Sequence, residues 1–538
     1  MKNRPLADAL LLAGFCGFLF FFGLGYFGLI GADEPRYAQV AREMLARNDW
    51  ITPVLGGKPW LEKPILYYWE AMLSYRVFGV SDWVARLPSA IHATAMVAAA
   101  YLFLRRFRPG SELDGALMTA SATGIIGFAR AASMDMPLAA AFSVAMLCWF
   151  AWQDSRRKMC LAGFYFFIAL ATLAKGPVAP FLAALILLSF AALKREVKLV
   201  SGTLWIPGIA LFFAVVLPWC ISVQIRNPEF FRVFILEHNL SRFATDRYHH
   251  TQPFWYYLPV ALMALVPWSA YVVAALVEAE GRGWRERKRQ ISGEQAYLLF
   301  LLIWLLLPVL FFSLSQSKLP GYVLPAIPAG TLLLADYVRR HVTERPNYAL
   351  AALHALVAVA LLLPALLLPY ILDTHRLPWG RATVILGLFA VALAAGIVIT
   401  LRLQTGLRML RFVTLVPVVL TVGSVLRFGA PAINAHLSAR PLAHEITRTD
   451  GGALPLAVFR VSRVTEYGLN FYRNQAISRY ERGEIPSGEH MLVAPQGTQA
   501  DIARRLPGRR VSFAGTEAEQ KLDWYWISAS GQMIMHSH

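Results

Sequence analysis

Charge is scarce in this chain. Asp, Glu, Lys and Arg make up 16% of its 538 residues, against 57% hydrophobic residues. So little charge cannot solvate several soluble domains. Apolar runs of about 18 residues or more recur along most of the length, each long enough to cross roughly 30 Å of hydrocarbon as a helix. Cysteine is scarcer still: Cys16, Cys148, Cys160 and Cys220 lie in or beside apolar segments without paired spacing. That pattern speaks against a disulfide framework and against a zinc motif. No P-loop, G-x-S-x-G, H-E-x-x-H or G-x-G-x-x-G stands in usable context, so no organic cofactor is expected. No repeat or low-complexity segment stands out either. The chain reads as an α-helical polytopic membrane protein.

What charge there is has one dominant sign. The formal net charge is +18, but the basic residues sit in short clusters between apolar runs. Such clusters mark cytoplasmic loops under the positive-inside rule and do not call for nucleic acid. Placing them inside gives about thirteen spans. The first covers roughly 8–30, with Lys2 and Arg4 inside; without a small-x-small cleavage site it is expected to be retained. The last ends near Arg427. The inner turns from the second span onward then carry basic clusters, Arg105-Arg106 and Arg287-Lys288-Arg289 among them. The unusual polar loops, 31–82, 130–135, 174–177, 226–255 and 313–322, all fall outside. The division expected is a transmembrane unit over 1–429 and a small C-terminal α/β domain over 430–538, also outside. Strand-like runs such as Leu456-Ala-Val-Phe-Arg and Met491-Leu-Val-Ala point to the latter.

The stretch from Gly31 to Pro64 is the most charged of these loops. It follows the first apolar run directly and contains G-A-D-E-P-R-Y and K-P-W-L-E-K-P. Helical spacing over 34–47 and 61–76, with Trp60, Tyr67, Tyr68 and Trp69 as aromatic anchors, predicts helices lying in the membrane interface. Asp33 and Glu34 stand at the mouth of the span. They could serve only as an N-cap and a first-turn acid before Pro35, but ionisable groups at membrane depth are functional candidates. Asp135, opening the fourth span in S-M-D-M-P, has the same two readings. The remaining outer loops add cations and phenols: Lys63 beside Glu62, Lys175 in A-K-G-P, Arg242 after Glu237-His238, and Lys318 with Tyr322 in S-K-L-P-G-Y. With Arg36 and Tyr37 these suit a substrate bearing a phosphate or pyrophosphate at the membrane surface. A polyprenyl phosphate sugar has that form.

The set D-E-P-R-Y, L-E-K-P, A-K-G-P, E-H-N-L-S-R-F followed by P-F-W-Y-Y-L-P, and L-S-Q-S-K-L-P-G-Y spans residues 31–322. It resembles the bacterial aminoarabinose transferase and protein mannosyltransferase-like glycosyltransferases, membrane enzymes of the GT-C type. The resemblance implies thirteen spans in the bacterial inner membrane, a cytoplasmic N-terminus, and a periplasmic site and C-terminal domain. It also implies an undecaprenyl phosphate-linked sugar donor and, in its best-known branch, transfer of 4-amino-4-deoxy-L-arabinose to lipid A phosphate. Residue by residue, Asp33 matches the family's essential acid, with Glu34 beside it and Asp135 an acid near the same cavity. Arg36 and Lys63 match residues near the donor phosphate, and Tyr322 a tyrosine facing it. Glu62 and His238 match a pair implied as a candidate divalent-ion site. The chain departs from the branch at Trp60-Leu61, where aminoarabinose transferases usually show Tyr-Phe. Another sugar with a glycan or protein hydroxyl acceptor is the alternative within the family; a lipid-linked sugar transporter is the alternative outside it.

Overall fold

The computed structural model describes residues 4–241, 252–285, 293–374, 380–403 and 406–529. Among them, nine helices are long and apolar enough to cross a membrane. A tenth candidate is the pair Phe254–Ala264 and Ser269–Ala279, bent by 114°, with Pro267 at the break removing a backbone donor. Shorter apolar helices cover Pro5–Phe21 and Val178–Lys194.

The first span is shorter than its apolar run suggests. Helix α1, Arg4–Cys16, continues only through a π-helical turn at Gly17–Phe21. Phe22 is then extended (ψ 125°) and Gly23 adopts φ +68°, which glycine alone takes up freely. Residues 22–30 form an irregular strap and not the last turns of the expected 8–30 helix. Helix α2 is Asp33–Arg47, ending at Asn48 in the left-handed region (φ 50°). A small antiparallel hairpin follows, β1 (Val54–Leu55) and β2 (Lys58–Pro59). Its turn residues Gly56 and Gly57 have φ 59° and 79°, and their N–H groups donate to the Glu43 carboxylate at 2.9 and 3.1 Å. Helix α3, Leu66–Phe78, starts later than the expected residue 61, because Pro64 steers Lys63 away from helical geometry.

Helix α4 is Asp82–Phe107. The third expected span, near 113–129, is two helices, α5 (Glu112–Ser121) and α6 (Thr123–Ala129). Their break is held from outside the segment, where the Thr123 N–H donates to the Val266 carbonyl at 2.9 Å. Helices α7 (Asp135–Ser155) and α8 (Lys158–Lys175) follow as expected. The last span runs past Arg427: Leu410–Ser424 passes through a π-helical turn at Val425–Gly429 into Ala430–Leu437.

The chain then builds a mixed five-stranded sheet. In chain order its strands are β3 (Leu456–Val458), β4 (Ser478–Arg479), β5 (His490–Pro495), β6 (Val511–Glu517) and β7 (Leu522–Ile527). The spatial order is β4-β3-β5-β7-β6, with β3 parallel to both neighbours and β7 antiparallel to both of its own. Alternation along the strands sorts the core onto two faces. Leu456, Val458, Met491 and Val493 pack with Leu442, Ile446 and Leu469 of helices Arg440–Asp450 and Arg463–Arg473. Ala457, Leu492 and Ala494 pack on the other face with Ile502 and Leu506.

Candidate active site

The strap and α2 are fixed by one buried arginine that sequence reasoning passed over. Arg86, on α4, is 0% exposed. Its Nε and Nη2 donate to Glu34 at 3.0 and 2.7 Å. Its Nη1 donates to the carbonyls of Leu24 and Phe27 at 2.6 and 2.9 Å, and Nη2 also to that of Gly28 at 2.9 Å. All five guanidinium N–H donors therefore have partners. Glu34 is matched just as fully, because its oxygens also accept from the backbone N–H of Ile30 (2.8 Å) and Ala132 (2.7 Å). Expected beside Asp33 as a catalytic acid, Glu34 is placed as a buried joint of the scaffold. The signal was present in the sequence: Arg86 is a lone cation inside an apolar span.

About half a turn of α2 from that joint, Arg36 enters an aromatic cage. Its guanidinium lies over Tyr37 at 5.1 Å, Trp60 at 5.0 Å and Tyr467 at 5.4 Å. It pairs with Asp33, which is 57% exposed in its side chain, and its Nη2 approaches the Tyr37 hydroxyl at 3.4 Å. Burial opposes the charge on Arg36, but Tyr37, Asp33 and Glu62 outweigh it and hold the pKa above its ordinary value. Three donors here are buried without partners among the described residues: Arg36 Nε, Trp60 Nε1 and the Tyr68 hydroxyl. Unmatched buried donors are rare and call for an explanation. The positive charge of Arg36 and the negative charges of Glu62 and Asp33 all reach Tyr68, in opposite senses, so the donors share one neighbourhood.

A second cluster faces the first across Tyr37. Lys175, at the end of α8, forms an ion pair with Asp135 at the start of α7. Its ammonium lies 4.6 Å from the Tyr322 ring centre. The turn bearing Tyr322 approaches Asp135 so closely that a Cβ on Gly321 would stand 2.6 Å from Asp135 Oδ1. Glycine is required there by contact with a neighbour, since its φ is ordinary. Burial raises the Tyr37 pKa; Asp33 and Asp135 add to that and Arg36 opposes it, so the phenol stays protonated.

The other expected residues divide. Glu62 Oε1 and His238 Nε2 stand 3.7 Å apart, a spacing that two donors to one divalent ion can keep. Lys63 is half-buried beside Glu62. Lys318 is not brought to the cluster: its ammonium donates to the Ser315 carbonyl inside its own loop, and burial lowers its pKa. Arg242 lies outside the described residues.

The C-terminal sheet region contributes more than Tyr467. The Tyr472 hydroxyl accepts from the Leu29 N–H at 2.7 Å and donates to Asp82 at 2.5 Å. Arg440 bridges Asp82 (2.9 Å) and the strap carbonyls of Gly25 (3.1 Å) and Tyr26 (3.2 Å). Arg42 of α2 donates to the Phe471 carbonyl at 2.9 Å. None of these partners was a candidate on sequence grounds.

Helical bundle, charged loop helices at one end and a sheet packed over them define a membrane protein with the fold of the transferase ArnT. The crystal structure of ArnT from Cupriavidus metallidurans bound to undecaprenyl phosphate superposes with TM-score 0.77 at 21% identity, over 96% of this chain and 97% of that one. An archaeal oligosaccharyltransferase, AglB from Archaeoglobus fulgidus, shares the fold more distantly (TM-score 0.52, 12% identity, 99% and 75% covered). Residues 62–221 match the dolichyl-phosphate-mannose-protein mannosyltransferase family. The undecaprenyl phosphate-alpha-4-amino-4-deoxy-L-arabinose arabinosyl transferase of Pseudomonas aeruginosa strain UCBPP-PA14 is 33% identical over 341 residues, 62% of this chain and 60% of that protein. A Pseudomonas fluorescens Pf-5 transferase of the same name, numbered 1, is 32% identical over 376 residues, 68% and 66% of the two chains. The chain thus spans about 60% of the length of the first of these relatives. It belongs to the GT-C family of aminoarabinose-transferase-like and protein-mannosyltransferase-like membrane proteins.

Proposed function

We propose that this protein transfers 4-amino-4-deoxy-L-arabinose from an undecaprenyl phosphate donor to a lipid A phosphate, at the periplasmic face of the bacterial inner membrane. The observation that carries the reading is the group of unmatched buried donors, Arg36 Nε, Trp60 Nε1 and the Tyr68 hydroxyl, beside a caged cation. A phosphate oxygen is the partner they lack. The relatives, undecaprenyl phosphate-alpha-4-amino-4-deoxy-L-arabinose arabinosyl transferases, supply the sugar and the carrier lipid.

In this reading an acceptor phosphate oxygen forms a bond to the anomeric carbon while the bond from that carbon to the carrier phosphate breaks. The electron pair leaves with undecaprenyl phosphate. Arg36 and Lys63 stabilise the negative charge that develops on the leaving oxygen, where preorganised donors are most effective. A phosphate monoester, with a second pKa of ~6, is already largely ionised, so no base has to remove its proton. Asp33, exposed and paired with Arg36, then orients the guanidinium and stabilises the positive charge developing on the sugar. Asp135, Lys175 and Tyr322 form the opposite wall. Glu62 and His238 would hold a divalent ion, which when bound would polarise phosphate oxygens.

The topology belongs to the same proposal. Nine long helices, the bent pair and the two shorter apolar helices, with α5 and α6 taken as one broken crossing, make thirteen crossings. The N-terminus is then cytoplasmic, and a periplasmic domain begins near Ser438, beyond the last helix.

The test is purified protein in nanodiscs with undecaprenyl phosphate-linked aminoarabinose and lipid A, wild type beside Asp33→Ala, with product identified by mass spectrometry. Transfer by the wild type alone is expected. No transfer by folded wild type would overturn the substrate pair.

A further inference from the structure

A second cluster of ligand-type side chains lies away from the candidate active site, where the helical bundle meets the sheet. His436, on the last helix, places Nε2 at 2.8 Å from Asp373 Oδ1 and 3.5 Å from Glu519 Oε2. The three ligand atoms all lie within 4.8 Å of one another. They arrive from three separate places: the end of helix Leu362–Thr374, helix Ala430–Leu437, and the turn between β6 and β7. Donor atoms around a tetrahedral zinc ion, each about 2.0–2.2 Å from the metal, stand roughly 3.3 Å apart.

Two further features set this group apart from an ordinary surface ion pair. In a chain of net charge +18, the described residues offer Asp373 and Glu519 no Lys or Arg partner, and His436 is their only cation-forming neighbour. The turn is also pinned in place, because the Gln520 side-chain amide donates to the carbonyls of Ala435 and Ser438, each at 2.8 Å. Glu519 is therefore held beside His436 by backbone contacts that do not depend on the imidazole.

We propose that His436, Asp373 and Glu519 form a divalent-cation site, with water completing the coordination. One imidazole and two carboxylates suit zinc. His436 is 11% exposed in its side chain, while Asp373 and Glu519 are 57% and 53% exposed, so an ion can enter from solvent. A bound cation offsets the repulsion among the carboxylates and cross-links the last helix to the sheet region. The site is separate from Glu62 and His238 and does not depend on the transfer reaction.

The experiment uses the full chain in detergent, stripped with EDTA and dialysed against 10 µM-range Zn2+, with bound metal counted by mass spectrometry. Wild type, His436→Gln, the double variant Asp373→Asn/Glu519→Gln and His238→Gln are compared. The expected result is one fewer zinc per chain in His436→Gln and in the double variant, with the zinc-induced rise in Tm lost in parallel, whereas His238→Gln keeps that rise. The double variant alters only exposed carboxylates, so it remains informative if His436→Gln fails to fold. Unchanged zinc stoichiometry in the double variant would overturn the proposal, leaving only the His436–Asp373 contact. Binding only at millimolar zinc would overturn it equally.

Discussion

Arg86 and Glu34, 52 positions apart, use up each other's hydrogen-bonding capacity. What remains of each is taken by the backbone that surrounds the site. The pair sits between α4 and the start of α2, and the strap 22–30 is wrapped around it. Arg86→Met leaves a buried carboxylate and three carbonyls without their donor, and should destabilise the protein by about 3–5 kcal/mol. Arg86→Met/Glu34→Leu should cost less than the sum of the two single changes, because the two side chains share one interaction. Thermal unfolding in detergent measures both.

Arg36 should be the most sensitive residue for transfer. Arg36→Lys keeps the charge but loses the planar fork and its Nε donor. A fall of roughly 100-fold in turnover, with the fold intact, matches the loss of one preorganised donor. Trp60→Phe removes the Nε1–H and shrinks the ring under Arg36, and turnover should fall by about 10-fold. Tyr467→Phe should be close to wild type and Tyr467→Ala clearly lower, since the ring face contacts Arg36. Initial rates by product mass spectrometry separate these outcomes.

Gly321→Ala places a methyl 2.6 Å from Asp135 Oδ1 and 2.8 Å from its Cγ. Overpacking of this kind costs about 1–3 kcal/mol. The displacement should also break the pairing of Asp135 with Lys175, so activity falls further than stability alone explains. Turnover and Tm measured on the same preparation give the comparison.

Alkaline pH should weaken the protein through its buried phenols. Burial raises the pKa values of Tyr37, Tyr67 and Tyr68 above the ordinary 10.0. The native state therefore keeps its protons where the unfolded chain releases them. The stability these groups contribute is fully present below pH 10 and falls as pH rises beyond it. Tm recorded from pH 8 to 12 should drop on the alkaline side, and less steeply in Tyr37→Phe. An identical alkaline limb in that variant would remove Tyr37 from the explanation.

Much of the helical architecture could be read from apolar run length, because crossing hydrocarbon is a demand each segment meets alone. The breaks could not. Ser121 and Thr123 are separated by a partner in another segment, Val266, and the strap after Phe21 is unwound to serve Arg86. The charged loop showed that a site was present but not which side chains face it. Asp33 and Glu34 are adjacent, and one residue on a helix is a rotation of about 100°. That rotation turns Glu34 to the core and Asp33 to the open side. Asp135, Lys175 and Tyr322 were each individually plausible, and Gly321 is what lets them meet. Tyr467, Tyr472 and Arg440 carried no signal, because their roles depend on contacts spanning most of the chain.

Those long separations bear on how the protein is made. The strap is among the first parts to leave the ribosome, yet Asn434 and Tyr472, which bind Gly28 and Leu29, lie 406 and 443 positions later. A growing chain can insert its helices one after another, but residues 22–30 cannot be closed in from their outer side until nearly all of it has been synthesised. An unfinished chain can hold the strap through Arg86, but lacks the contacts that Asn434, Arg440 and Tyr472 add from outside. The outer closure of the strap is thus among the last contacts that the order of synthesis allows, and a chain ending before Tyr472 lacks the hydroxyl that joins Leu29 to Asp82.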